Sequence, residues 1–411
     1  MRMTGKNHSL KTARIKDVAE LDPETLGEST APDFTFKYID LSSVKGGRIG
    51  DQVESMTFAA APGRARKLIK EGDVLLGMVR PYLQPFAKVQ RALDGHVAST
   101  GFAVIRAKSG LTDPEYLYQT IWSDSISKQI HQMVTGSNYP ALSVGDVKDL
   151  KIPLPSLAEQ RKIAEILRTW DEAIETAEAE LKSKQERKRW LMENLMKPSA
   201  VGEGVVNASK AKVSSAGLKA VADFFADGDW IESKDQSPSG FRLVQTGNIG
   251  VGRYLEHPGR ARYVSVDTFK RLNCTQLKAG DMLISRLPDP VGRACLFPGG
   301  FDAITAVDCT IVRVNNRVVL PAWVHYFAQT QQYQKQVDAM IGGSTRLRIT
   351  RKELGAIQVP LPSLAEQRKV TEILESADAA IELSDERIEL LRAQKRGLMQ
   401  KLLTGEVRVA A

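Results

Sequence analysis

Residues 150–167, LKIPLPSLAEQRKIAEIL, return as residues 357–374, IQVPLPSLAEQRKVTEIL. Thirteen of the eighteen positions are identical at an offset of 207, and the ten-residue run PLPSLAEQRK is unbroken. Chance does not produce such a run. Self-similarity at a fixed period marks a repeated architecture, and a period of 207 is far too long for a solenoid. The likeness continues outward from this segment. Gly72-Asp73-Val74-Leu75-Leu76 matches Gly280-Asp281-Met282-Leu283-Ile284, and Gly136-Ser137 matches Gly343-Ser344. Val44-Lys45-Gly46-Gly47-Arg48 lies opposite Ile249-Gly250-Val251-Gly252-Arg253. The 411 residues are therefore two copies of one unit.

The repeated segment opens a long helix in each copy. Ser156 is an N-cap with Glu159 at the capping-box position, and Ser363 with Glu366 repeats the pattern. No proline interrupts 156–197 or 363–404; Pro198 and Gly405 are the stop signals. Some 41 residues at 1.5 Å each predict a rod of roughly 60 Å. Apolar residues recur at three- and four-residue steps: Ile163, Ile166, Trp170, Ile174, Ala177, Leu181 in the first copy, Val370, Ile373, Ala377, Ile381, Ile388, Leu391 in the second. That narrow stripe is a coiled-coil seam, and two equal seams separated by a domain predict an antiparallel pair. Lys188 and Lys395 fall in the seam at equivalent places; setting the register and snorkelling to solvent both fit them.

The rest of each copy mixes short β-type runs, such as Phe102–Ile105 and Thr310–Val312, with amphipathic helices near 114–133 and 321–340. The fold expected is thus α/β (α+β): two copies of a globular domain joined by two long helices in an antiparallel coiled coil, with pseudo-twofold character. The divisions are 1–150 for the first domain, 151–198 for the first helix and 199–217 for a Ser/Ala/Gly/Lys-rich linker. The second domain takes 218–357, the second helix 358–405, and a tail 406–411.

Fifty-seven Lys+Arg against 49 Asp+Glu leave a net charge of +8. Residues 156–197 and 363–406 sum to −2, so the rest of the chain carries +10, and a nucleic-acid surface is expected on its globular parts. Candidate DNA-binding residues lie on loops at equivalent places. Lys45 and Arg48 face Arg253 in the glycine turns, and Arg80, Tyr82 and Gln84 face Arg286 after the GD strand. Ser137, Asn138 and Tyr139 face Ser344, Thr345, Arg346 and Arg348 in a pair of loops that keep Gly-Ser while their flanks diverge. Arginine to guanine and amide to adenine are the usual bidentate readouts, and altered side chains on a retained scaffold suit two readers of different sequences. In the repeated segment, Leu157, Glu159, Gln160, Arg161 and Leu364, Glu366, Gln367, Arg368 are candidates for the helix start and for partner docking. For Gln160 and Arg161, partner contact and internal hydrogen bonding both remain open.

Signals for chemistry are few. No nucleotide-binding glycine loop or amino-methylation motif is present, the five histidines are scattered, and Glu232-Ser233-Lys234 has no counterpart in the first copy. Cys274, Cys295 and Cys309 lack metal-ligand spacing, so neither zinc nor a disulfide framework is indicated. No apolar stretch is long enough for a membrane span and no signal-peptide core is present, so a cytoplasmic location is expected.

A variable unit, a PLPSLAEQRKIAEIL-type helix start, a second unit and the same start again resemble the DNA-specificity subunit of type I restriction–modification systems. The resemblance covers nearly the whole chain. It implies that each globular part is a target recognition domain reading half of a bipartite DNA site. The helices would then fix the unread spacer and dock two methyltransferase subunits, and translocase–nuclease subunits would join them. It also implies a non-catalytic chain without its own cofactor, with S-adenosylmethionine, ATP and Mg on partner subunits. A stand-alone DNA-binding coiled-coil protein is the alternative.

Overall fold

In the antiparallel sheet of each copy, the GD strand and its neighbour carry buried residues at nearly every position. Successive strand residues point to opposite faces, so such a strand is buried on both. The computed structural model describes residues 10–51, 53–134, 140–197, 214–342 and 347–409. Val74, Leu76, Ala103 and Ile105 enter one core, with the short helices, while Leu75, Phe102 and Val104 enter a second on the opposite face. The other copy repeats this: Met282, Ile284, Val312 and Val314 on one side, Leu283, Cys295, Cys309 and Ile311 on the other.

The chain divides into two compact units, residues 1–178 with 386–411 and residues 179–385. Unit 1 holds an antiparallel sheet in the order Ala19–Leu21, Phe102–Ala107, Val74–Gly77, Phe86–Lys88. A second four-stranded sheet contains Thr35–Ile39 parallel to Val97–Ser99. Unit 2 repeats both, with Ala222–Asp227, Cys309–Val314, Met282–Ser285 and Ala294–Leu296 in one sheet. Its other sheet has three strands, with Phe241–Val244 parallel to Ala303–Thr305.

The repeated GD motif has a physical cause. Asp73 is 1 % exposed; it accepts the Lys70 amide at 2.8 Å and the fork of Arg106 at 2.8 and 2.8 Å. Asp281, equally buried, accepts the Lys278 amide at 2.8 Å and Arg313 at 2.8 and 2.7 Å. A buried carboxylate is tolerable only when paired and hydrogen-bonded, so acid, arginine and turn persist together.

Three details depart from the sequence expectation. The helices near 114–133 and 321–340 are each broken, into Pro114–Ile121 and Asp124–Val134, and Pro321–Phe327 and Gln331–Asp338. The break in unit 2 is an internal cap, since Thr330 accepts the Tyr333 amide and starts a new helix. Within the expected linker 199–217, Ser214–Gly217 is a strand paired antiparallel with Gln358–Leu361. Its small residues suit a linker by composition, but backbone pairing needs no particular side chain. The expected tail also packs: Val409 is buried, and Arg408 grips Glu159 at 2.6 and 2.6 Å.

The long helices run Leu157–Leu195 and Leu364–Thr404, about 58 and 62 Å at 1.5 Å per residue. Each contributes a half to each unit. In unit 1, Lys395 meets Asp171 at 2.6 Å and Arg392 meets Glu178 at 2.7 Å. In unit 2, Lys188 meets Asp378 at 2.5 Å and Lys184 donates to Ser384 at 2.7 Å. In both, one helix number rises as the other falls, so the halves are antiparallel. Lys188–Asp378 and Lys395–Asp171 are the same pair shifted by one repeat, and register setting is the role they have. Each acid is also held by its own domain: Gln119 donates to Asp171 and Tyr326 to Asp378, both at 2.8 Å.

Candidate nucleic-acid interface

The glycine turn of unit 1 is a hairpin, Val44–Lys45 against Arg48–Ile49, with Gly46 and Gly47 at φ 59° and 87°. Positive φ at both turn positions is why glycine stands there. Lys45 is exposed, and the equally exposed Arg48 lies 2.5 Å from Glu175 of the long helix. In unit 2, Arg253 is exposed and borders a cavity of about 590 Å³, together with Gln185, Lys188, Asp289 and Arg293.

The segment after the GD strand differs most between the units. In unit 1, Pro81–Leu83 is a single turn flanked by Arg80 and Gln84, both with left-handed backbone. It presents Arg80, Tyr82 and Leu83 to solvent, the last two 59 % and 65 % exposed. Gln84 donates to Ser127 at 3.2 Å and is not a free amide reader. In unit 2, Arg286 is buried, which corrects its assignment as a DNA contact. Its guanidinium donates to the Val307 carbonyl at 2.8 Å and lies 3.4 Å from Asp227 and 3.8 Å from Asp308. Burial lowers its pKa, and the two aspartates work against that shift. Arg348 is half-exposed beside Asp308 at 3.2 Å. Ser137, Asn138, Tyr139, Ser344, Thr345 and Arg346 lie outside the described residues.

The PLPSLAEQRK segments are held from within. Gln160 accepts the Asp113 amide at 3.0 Å and donates to the carbonyls of Leu111 and Pro155. Gln367 does the same with the Leu320 amide and the carbonyls of Val318 and Pro362. Both glutamines are buried, so hydrogen bonding within the unit is their role and they offer no docking surface. Tyr116 donates to the Pro153 carbonyl at 2.9 Å and Trp323 to that of Pro360 at 2.8 Å. Ser156 and Ser363 both accept the amide three residues on, at 3.3 Å. Only Glu366 completes the box by accepting the Ser363 amide at 2.9 Å; buried Glu159 is taken by Arg408 instead. Leu157 and Leu364 are half-buried at the helix starts, while Arg161 and Arg368 are exposed at equivalent positions.

Comparison with known proteins places this duplicated framework. The profile described as "Type I restriction modification DNA specificity domain" matches residues 9–184 and 217–393, once for each copy. The chain belongs to the type I restriction–modification DNA specificity family. It is 24 % identical over 329 residues to the MjaVIII specificity subunit of Methanocaldococcus jannaschii, covering 76 % of this chain and 75 % of that one. It is 32 % identical over 117 residues to the HindI specificity subunit of Haemophilus influenzae, 28 % of this chain and 25 % of that one. A solved structure from work on complex assembly and conformational transition of the type I R-M system aligns over 97 % of this chain and 98 % of its own. It does so with a TM-score of 0.64 and 26 % identity. The S subunit from M. genitalium shares the fold at a TM-score of 0.56, 14 % identity and 97 % coverage of both chains.

Among the described residues no cluster of three His, Cys, Asp or Glu could hold a metal ion. Burial pushes the Cys274 thiol up to about 11 and those of Cys295 and Cys309 up to about 12, away from reactive thiolate. Glu232 and Lys234 pair with each other at 2.7 Å. No described helix is long and apolar enough to cross a membrane. Sequence reasoning missed Asp171, Asp378, Asp227, Asp308, Arg351 and Arg408. The register-setting acids had a signal: each aspartate and lysine recurs at the 207 offset.

Proposed function

We propose that each globular domain binds one half of a bipartite, asymmetric site in double-stranded DNA. The long helices set the unread spacer and dock two methyltransferase subunits. In this reading the chain supplies recognition and assembly in the cytoplasm and contributes no bond chemistry. S-adenosylmethionine is carried by the methyltransferase subunits, and ATP and Mg serve translocase–nuclease subunits that join them. The observation that carries the reading is the contrast within the repeat. The internal bonds of Asp73 and Asp281, Gln160 and Gln367, and Asp171 and Asp378 recur in both units, while the loop after the GD strand presents different chemistry in each. Two readers on a shared stiff support bind jointly, because docking the first raises the effective concentration of the second.

The deciding experiment is methylation mapping of host DNA in strains with and without this gene. Adenine methylation confined to a two-part motif with a fixed gap, lost with the gene, is expected. An unchanged methylation pattern would reject the reading.

A further inference from the structure

One end of the antiparallel sheet of unit 2 carries five charged side chains. The register pairs Ser285 with Cys309 and Asp227 with Thr310, so Asp227, Arg286 and Asp308 lie at the same end of three adjacent strands. Arg286, its side chain 5 % exposed, lies against both carboxylates, at 3.4 and 3.8 Å. Each carboxylate then faces a second, outward arginine: Asp308 meets Arg348 at 3.2 Å, and Asp227 meets Arg351 at 4.0 Å. The backbone of Arg348 is pinned by reciprocal hydrogen bonds with Gly342, both 3.0 Å. Arg351 opens a helix capped by Thr350.

Exposed ion pairs of this kind contribute little to stability. They do hold a long side chain in place, which lowers the ordering cost when it binds something else. A guanidinium has five donors in a fixed fork, and Asp308 meets Arg348 at Nη2. With three arginines and two aspartates the group keeps a net positive charge facing solvent.

Unit 1 has the same backbone and none of this chemistry. Leu142 donates to the Met78 carbonyl at 2.9 Å where Ile349 donates to that of Arg286 at 3.3 Å. At the 207 offset, Gly101 replaces Asp308, Ala141 replaces Arg348 and Val144 replaces Arg351. From this contrast we infer that Arg348 is a specificity-determining residue of the second domain. It reads a guanine through N7 and O6 in the major groove, with Asp308 as its positioning residue. Arg351, held at the longer distance, contacts a neighbouring phosphate.

The inference rests on the half-site reading above, and its test separates the two. The full chain with its modification subunits is used, on the motif found by methylation mapping, with each guanine of the site replaced singly by 7-deazaguanine. Loss of N7 at one guanine of one half should weaken wild-type binding by about tenfold, the scale of a bidentate base contact. Arg348→Ala and Arg348→Lys should abolish that discrimination. Asp308→Asn should diminish it while leaving affinity for DNA without the motif unchanged, and Asp308→Glu should restore it. Arg351→Ala should weaken all sequences equally. If Arg348→Ala keeps the wild-type response at every guanine, or merely weakens binding uniformly, the assignment of Arg348 is overturned. Unaltered discrimination in Asp308→Asn overturns the positioning role. A wild-type complex with no two-part motif overturns the half-site reading itself.

Discussion

Unit 1 and unit 2 are alike where side chains tie the domain to its repeated helix start and different around the end of the GD strand. Tyr116 and Trp323 differ in shape, yet each donates to the carbonyl of the first proline in PLPSLAEQRK. Gln129 and Gln336 each bridge the strand residue two before that proline, accepting its amide and donating to its carbonyl. Against this stand the turn after the GD strand of unit 1, apolar and outward at Tyr82 and Leu83, and the end of the GD strand in unit 2, where Arg286 is folded inward in the place of Met78. A buried donor left unpaired costs its full desolvation, so the internal bonds constrain both copies equally. No such penalty restrains a surface loop, and there the copies have diverged.

Exchanging whole surfaces should have the largest effect. Replacing 15–150 by the equivalent domain of a relative should change one half of the methylated motif completely and leave the other intact. A change in both halves would mean that the domains do not read independently.

The next test asks whether the buried frameworks are equivalent. Asp281→Ala leaves Arg313 without its carboxylate partner, whereas after Asp73→Ala Arg106 keeps Glu24 at 2.6 Å. The 21 % and 28 % exposure of Arg106 and Arg313 moderates the loss, to about 2–3 kcal/mol in unit 2 and less in unit 1. Urea unfolding followed separately in each unit should give the smaller shift for Asp73→Ala, and a larger shift there than for Asp281→Ala would break the comparison.

A smaller, one-sided effect is expected with acid. His325 occupies the place of Tyr118 at the 207 offset. Burial, with help from Lys188, pushes its pKa down to about 4, and Asp378 only partly opposes this. The folded state thus favours neutral imidazole. Its contribution is fully present above the unfolded value near 6.5 and is lost as pH falls towards 4, on the order of 1–3 kcal/mol. Unit 2 should therefore weaken more than unit 1 over that range, and His325→Gln should remove the difference in a pH series of thermal midpoints.

The smallest effect is expected at Arg48. Its pair with Glu175 is half-exposed on both sides, so Arg48→Ala should cost under about 1 kcal/mol. Specific DNA affinity should be unchanged; a clear loss would place Arg48 on the DNA surface.

The GD strands, the long helices and their capping serines were legible because they depend on local chemistry: apolar runs, a proline-serine start, and the absence of helix breakers. The candidate site was legible mainly as a set of loops. Arg80, Tyr82, Arg253, Arg48 and Arg348 stay exposed, the last two beside Glu175 and Asp308, whereas Gln84 and Arg286 are engaged within the protein. Their partners, Ser127 and Asp227, lie 43 and 59 residues away.

By itself the sequence determined the duplication, the family, the paired long helices and the placing of excess cation outside those helices. Repeats, periodicity and charge counts do not depend on how the chain closes in space. Only the tertiary structure decided which arginines are free, that Lys188 and Lys395 set helix register, and that Gln160 and Gln367 are internal ties. An ion pair depends on separations of a few ångströms between residues remote in sequence, and folding alone brings those residues together.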